Sequence, residues 1–216
     1  MEFVKDPTIQ KPVRKISWLK WAAIPLSAVI IFLALAPVTR NLSSYYLQNG
    51  NSLLLERKYL SARLSYEKAL LLNSKNTEAN TQKELARKAE SDILVLEDLY
   101  EAQNQTEELR KISWANSIPS DETEAVKLSR QFIESKDYQL ATIAAKTATQ
   151  MDPDYKDAWV YLGISNMKVA EILEISPESK NKYIAESKKA FDKVREIDPE
   201  YEDIKNLYGY LDKITI

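Results

Sequence analysis

The sequence predicts an all-α protein in which an N-terminal single transmembrane helix is followed by an α-helical solenoid. Three observations point there. Only three glycines interrupt 216 residues rich in Ala, Leu, Glu and Lys, the types that helices favour. One uncharged apolar run, Trp21 to Val38, has no counterpart in the rest of the chain. The remainder repeats itself: Met151-Asp152-Pro153-Asp154-Tyr155 returns as Ile197-Asp198-Pro199-Glu200-Tyr201, at the separation that also divides Gly163 from Gly209.

The apolar run sets the first element, a membrane span over 21–39, because about 20 helical residues cross a hydrocarbon core of about 30 Å. Trp18 and Trp21 stand at its edge, where indoles favour the headgroup level. Lys20 and Arg40 bracket it, and Pro25 falls in the first turn, where its missing N–H costs least. Two other readings are weaker. A buried core helix of such uniform apolarity needs a larger protein around it. A cleaved signal peptide has a small-x-small site in Ala34-Leu35-Ala36, but the run is longer than a usual signal core and Pro37 would follow the cut. Lys5, Lys11, Arg14, Lys15 and Lys20 precede the span against Glu2 and Asp6. A single-pass protein of the cell membrane is therefore expected, with its basic tail, 1–20, in the cytoplasm and the C-terminal part across the membrane.

Composition narrows the chemistry. The absence of His and Cys removes an imidazole base, a Cys nucleophile, a Ser-His-Asp triad and a zinc site of N/S type. Gly50, Gly163 and Gly209 are too few and too scattered for a dinucleotide or P-loop fingerprint. Ser and Lys are plentiful, but nothing singles out one pair as an activated nucleophile. The chain is expected not to be an enzyme and to need no cofactor or metal. A net charge of -2 leaves it without the overall basic character that nucleic-acid binders use against phosphates, so no nucleic acid is expected among its partners.

The repeats decide the rest. Trp159-Val160-Tyr161-Leu162-Gly163-Ile164-Ser165-Asn166 fits the pattern W-x2-L-G-x2-Y except at Asn166, where Tyr is usual. A ruler of about 34 residues laid back from there puts Tyr138 seventeenth, Ala141 twentieth, Ala145 twenty-fourth, Ala148 twenty-seventh and Pro153 thirty-second. Ala125, Ser129 and Ala145 depart from the usual Trp, Gly and aromatic. In a first unit Tyr46 is fourth, Gly50 eighth, Leu53 eleventh, Tyr59 seventeenth, Ala62 twentieth, Tyr66 twenty-fourth and Ala69 twenty-seventh, with Ser74 in place of the Pro. A third unit carries Ser187, Phe191, Val194 and Pro199 at the later positions, after an insertion between Gly163 and Ser187.

On these residues the chain resembles the tetratricopeptide repeat (TPR) family, in its membrane-anchored bacterial type. The resemblance implies two helices per unit that cross closely at the eighth and twentieth positions, with Pro at the thirty-second ending the second helix. The expected units are 41–76, 120–155 and 156–200, closed by a capping helix over 201–216. Register is lost over 77–118. Leu85, Ala89, Ile93, Leu96, Leu99, Tyr100, Leu109 and Ile112 have roughly helical spacing there, which predicts a long helix or two joined near Gln103 to Thr106. That segment is an arm or a degenerate repeat; its heptads are too few for a coiled coil.

In the family, the first helices line a groove. Carried onto this chain, the groove positions are Leu47, Asn51 and Leu54 in the first unit, Val126, Arg130 and Ile133 in the second, and Val160, Ile164, Met167 and Lys168 in the third. A carboxylate clamp would need Lys where Leu47 and Val126 stand, so an amphipathic helix or extended peptide is the expected occupant. Charged clusters such as Glu107-Glu108 with Arg110-Lys111, or Glu186 with Lys188-Lys189, are expected to be solvated helix faces. The resemblance thus implies a membrane-tethered scaffold that binds a protein or peptide partner in envelope assembly, secretion or folding. The alternatives are a homo-oligomeric structural membrane protein joined through 77–113 and a TPR receptor facing the cytoplasm.

Overall fold

Helix dominates, as so few glycines allow: the described residues hold ten α-helices and one 3-10 turn, and no strand. The computed structural model describes the backbone over 18–117 and 119–215, and side chains over 37–117 and 119–215. The chain divides into two units, 1–41 and 42–216. The first holds the whole of the predicted span, 21–39. Backbone there belongs to α1 (Trp18–Leu55), whereas the side chains up to residue 36, and the tail 1–17 altogether, lie outside the described residues. Among the described residues no helix is long and apolar enough to cross a membrane.

From Leu42 onward the chain is a solenoid-like series of helical hairpins. The end of α1 pairs with α2 (Tyr59–Leu72), α6 (Glu122–Glu134) with α7 (Tyr138–Met151), and α8 (Lys156–Ile172) with α9 (Pro177–Ile197). The first two hairpins turn identically. Arg57 and Lys136 take left-handed backbone, φ 59° and 65°. The next N–H then reaches back to the last turn, Lys58 to Leu53 O at 2.9 Å and Asp137 to Phe132 O at 2.8 Å, which satisfies carbonyls that a helix end leaves open. All three second helices also close alike. Asn73, Asp152 and Asp198 donate their N–H to Ala69, Ala148 and Val194 at 3.0, 3.0 and 2.8 Å.

The close crossings rest on small residues facing rings. A Cβ added at Gly50 would stand 2.4 Å from the ring of Tyr66, and one at Gly163 would stand 2.2 Å from the ring of Phe191. Both rings are fully buried. Ser187 Oγ ties the third crossing by donating to Gly163 O at 2.8 Å. In the second hairpin Ser129 replaces the glycine and Ala145 the ring, and Ser129 Oγ donates to Ala141 O at 2.9 Å.

The stretch 77–116 is broken twice. It comprises α3 (Thr77–Ala89), a 3-10 turn (Ile93–Leu96), α4 (Glu97–Ala102) and α5 (Thr106–Asn116). One break falls near Gln103 to Thr106, as the spacing predicts, with Asn104 at φ 54°. The other falls at Glu90 to Asp92, where the Asp92 carboxylate accepts the N–H of Leu94 at 3.0 Å and starts the turn. Thr77 begins a full register after Ser43, but Glu84 and Leu96 stand where a close crossing needs Gly and Ala. Among the described residues α3 packs on α2, and no long helix follows it to complete a hairpin of its own. Instead Leu96, Tyr100 and Ile112 enter one core with Leu54, Tyr59, Phe132 and Leu140, joining the first hairpin to the second. Side chains of this size contribute about 1.5–3 kcal/mol each when fully buried.

The insertion lengthens α8 and α9 and carries their turn back to the first hairpin. Val169, Ala170, Ile175 and Tyr183 join the same core. Glu174 O accepts the N–H of Leu60 at 3.0 Å, capping the first turn of α2, and its carboxylate takes the hydroxyl of Ser61. Helix α10 (Ile204–Thr215) then covers the last hairpin with Ile204 and Leu211.

Candidate peptide-binding surfaces

Helical periodicity puts the ten groove positions on the first helix of each hairpin, and packing then divides them among three clusters. Leu47, Leu54 and Ile133 face the large core, Leu54 with no exposed surface. Asn51 accepts a hydrogen bond from Tyr66 Oη at 3.0 Å. Val126 packs with Ala125, Ala148 and Ala158, while Arg130 stays exposed and pairs with Glu134 at 3.0 Å. Val160, Ile164 and Met167 pack together with Phe191, Ile204 and Leu211, beneath α10. Lys168 reaches Glu171 at 2.8 Å and Tyr210 Oη at 3.2 Å. Burial alone would lower its pKa, and these two partners hold it raised. The third-unit positions are thus brought together, but under the chain's own last helix.

Two polar nodes fix this arrangement. Glu90, only 1% exposed, accepts from Arg63 Nη1 at 2.8 Å, from Ser176 Oγ at 2.5 Å and from Ser179 Oγ at 2.6 Å. Burial would raise its pKa, yet the bonds from Ser176, Ser179 and Arg63 outweigh that and hold the carboxyl below its ordinary range. Its own carbonyl accepts from Tyr183 Oη at 2.8 Å, and burial keeps that phenol protonated, its pKa pushed up to about 12. The second node joins Arg57 to Glu108 and to Asp137, the latter at 2.8 Å, with Lys111 reaching Glu108 and Asp137 at 3.2 Å each. Glu108 and Lys111 are therefore half-buried structural partners, whereas Glu107 and Arg110 of the same cluster are the solvated face that the sequence predicts.

One open concavity on the hairpins lies elsewhere, between α7, α8 and α9. It has a volume of about 530 Å³ and is walled by Trp159, Leu162 and Asn166 of α8, Thr142, Lys146 and Thr149 of α7, and Tyr183, Glu186, Lys189 and Ala190 of α9. Trp159 is held by its indole N–H, which donates to Pro153 O at 2.8 Å. Asn166 is 3% exposed, and its amide makes no hydrogen bond among the described residues. Lys146, Lys182 and Lys189 border the cleft with Glu186 and form no ion pair among the described residues. The sequence signal for this cleft was Asn166 itself, the one departure from the repeat's opening pattern. The lysines gave none, because they come from two helices on either side of α8.

Neither family models, nor curated proteins, nor solved structures give a match to this chain.

Proposed function

We propose that the chain is a protein-interaction scaffold of TPR type, carried on the membrane by residues 21–39 with its hairpins on the extracytoplasmic side. The observation that carries this reading is the repeated interlock. Gly50 with Tyr66 and Gly163 with Phe191 occupy the same register places, and the same turn follows each second helix. Such arrays leave ridges and clefts between successive helices, and these serve as seats for peptides. Tethering would confine those seats to a shell near the bilayer and raise the effective concentration of a partner held there. A C-terminally tagged full-length chain tests the layout by protease treatment of intact and lysed cells, with extraction of membranes at high pH. The expected result is a tag retained in the membrane pellet and digested only from the outer side. Digestion only from the cytoplasmic side would overturn the orientation, and release as a shorter soluble species would overturn the anchor.

A further inference from the structure

The eleventh register position distinguishes the third hairpin from the other two. Leu53 occupies it in the first, packed against the large core, and Phe132 in the second, where it is 3% exposed. Asn166 occupies it in the third and fills far less space. The cleft of about 530 Å³ stands at that place, larger than any one side chain, with the Trp159 indole fixed along its wall. The Asn166 amide makes no hydrogen bond among the described residues and opens to the cleft, so its donor and acceptor atoms are presented to whatever enters. Here the amide faces a cavity ringed by three lysines and a single carboxylate, Glu186.

Resting on the scaffold reading above, we propose that this cleft binds an acidic peptide segment of a partner protein. One tyrosine of that segment enters beside Trp159 and hydrogen-bonds Asn166, and the neighbouring carboxylates meet Lys146, Lys182 and Lys189. The tyrosine supplies from outside the large eleventh side chain that the third hairpin lacks. Its ring suits an aromatic wall, and its hydroxyl suits the amide of Asn166 on the cleft surface. The lysines select acidic flanks and speed the encounter, and they make binding weaken as salt rises.

The test uses the full-length chain in detergent and a fluorescent heptapeptide with central Tyr flanked by Asp and Glu. Two control peptides carry Ala at the centre, or Lys and Arg in the flanks. The acidic Tyr peptide is expected to bind, at least tenfold more tightly than either control. Asn166→Tyr, which fills the cleft from within, should weaken binding at least tenfold while thermal unfolding stays cooperative. Should that variant fail to fold, Lys146→Glu combined with Lys189→Glu, both on exposed side chains, carries the test and should weaken binding equally. Binding of all three peptides alike, or binding untouched by these variants, overturns the cleft and leaves the scaffold reading standing. Failure of the chain to bind any member of a broad random peptide library removes both. Concentration-dependent self-association abolished by Asn166→Tyr would seat a second copy in the cleft and overturn the partner peptide.

Discussion

The second hairpin and the third solve the same crossing in opposite ways. In the third, Gly163 gives way to the ring of Phe191; in the second, Ser129 stands at the glycine's register place, bonded to Ala141 O, and Ala145 at the ring's. Read singly, Ser129 and Ala145 are two departures from the repeat pattern. Read as a pair they compensate, because the larger residue at the eighth place is matched by a smaller one at the twenty-fourth. The unit that the fold specifies is the volume shared by the two positions, as close-packed interiors require.

That comparison can be broken most sharply by exchanging one member of a pair. Ala145→Phe puts a ring where Ser129 leaves no room and should cost about 3 kcal/mol, read as a lowered urea midpoint; adding Ser129→Gly should return much of the loss. Additive effects in the double variant would mean the two positions do not share a volume. Glu90→Gln probes the other difference, the insertion that ties the third hairpin to the first, and should cost about 2 kcal/mol at neutral pH. Because the folded pKa of Glu90 is depressed, its stabilisation is complete above the unfolded value of about 4.3 and is lost as pH falls through the folded one. The gap in stability between wild type and Glu90→Gln should therefore narrow below about pH 4, and a gap independent of pH would remove the carboxylate from the account.

Smaller changes sharpen the same picture. Gly163→Ala should lower stability by about 2 kcal/mol, since the new Cβ would stand 2.2 Å from a fully buried ring. Ser129→Ala keeps the volume and loses the bond to Ala141 O, so thermal unfolding should report only about 1 kcal/mol. Gly209→Ala should act in the opposite direction. It stands on α10 at the same register place as the other glycines, but nothing lies within 4 Å of a Cβ built there. With nothing described for the new Cβ to meet, the alanine should stabilise by about 0.5–1 kcal/mol through helix propensity alone. A loss of stability would show an unsuspected contact.

The hairpins were legible because their signals are short-range. Gly50, Tyr59, Ala62 and Tyr66 name a turn and a crossing within one unit, and the shared words at Asp152 and Asp198 name the turn that follows. The stretch 77–116 was less legible: its apolar spacing marked helix, but Glu84 and Leu96 report a failed crossing only to a reader who already knows that a crossing was due there. The groove positions were legible as helix faces, and not as surfaces. Whether Val160 and Met167 see solvent depends on α10, and whether Leu54 does depends on Tyr100 and on the insertion.

By itself, then, the sequence determined an all-helical chain, the register of its hairpins and the place where the pattern lapses at Asn166. Tertiary structure alone decided that Glu174 caps α2, that Glu90 gathers Arg63, Ser176 and Ser179, and that three lysines from α7 and α9 border the opening beside Asn166. The reason is the range of the forces. Helix periodicity and turn chemistry act over a few residues and are written locally. Contacts between residues 60 and 174 depend instead on how each hairpin is set against the next, which no single residue states.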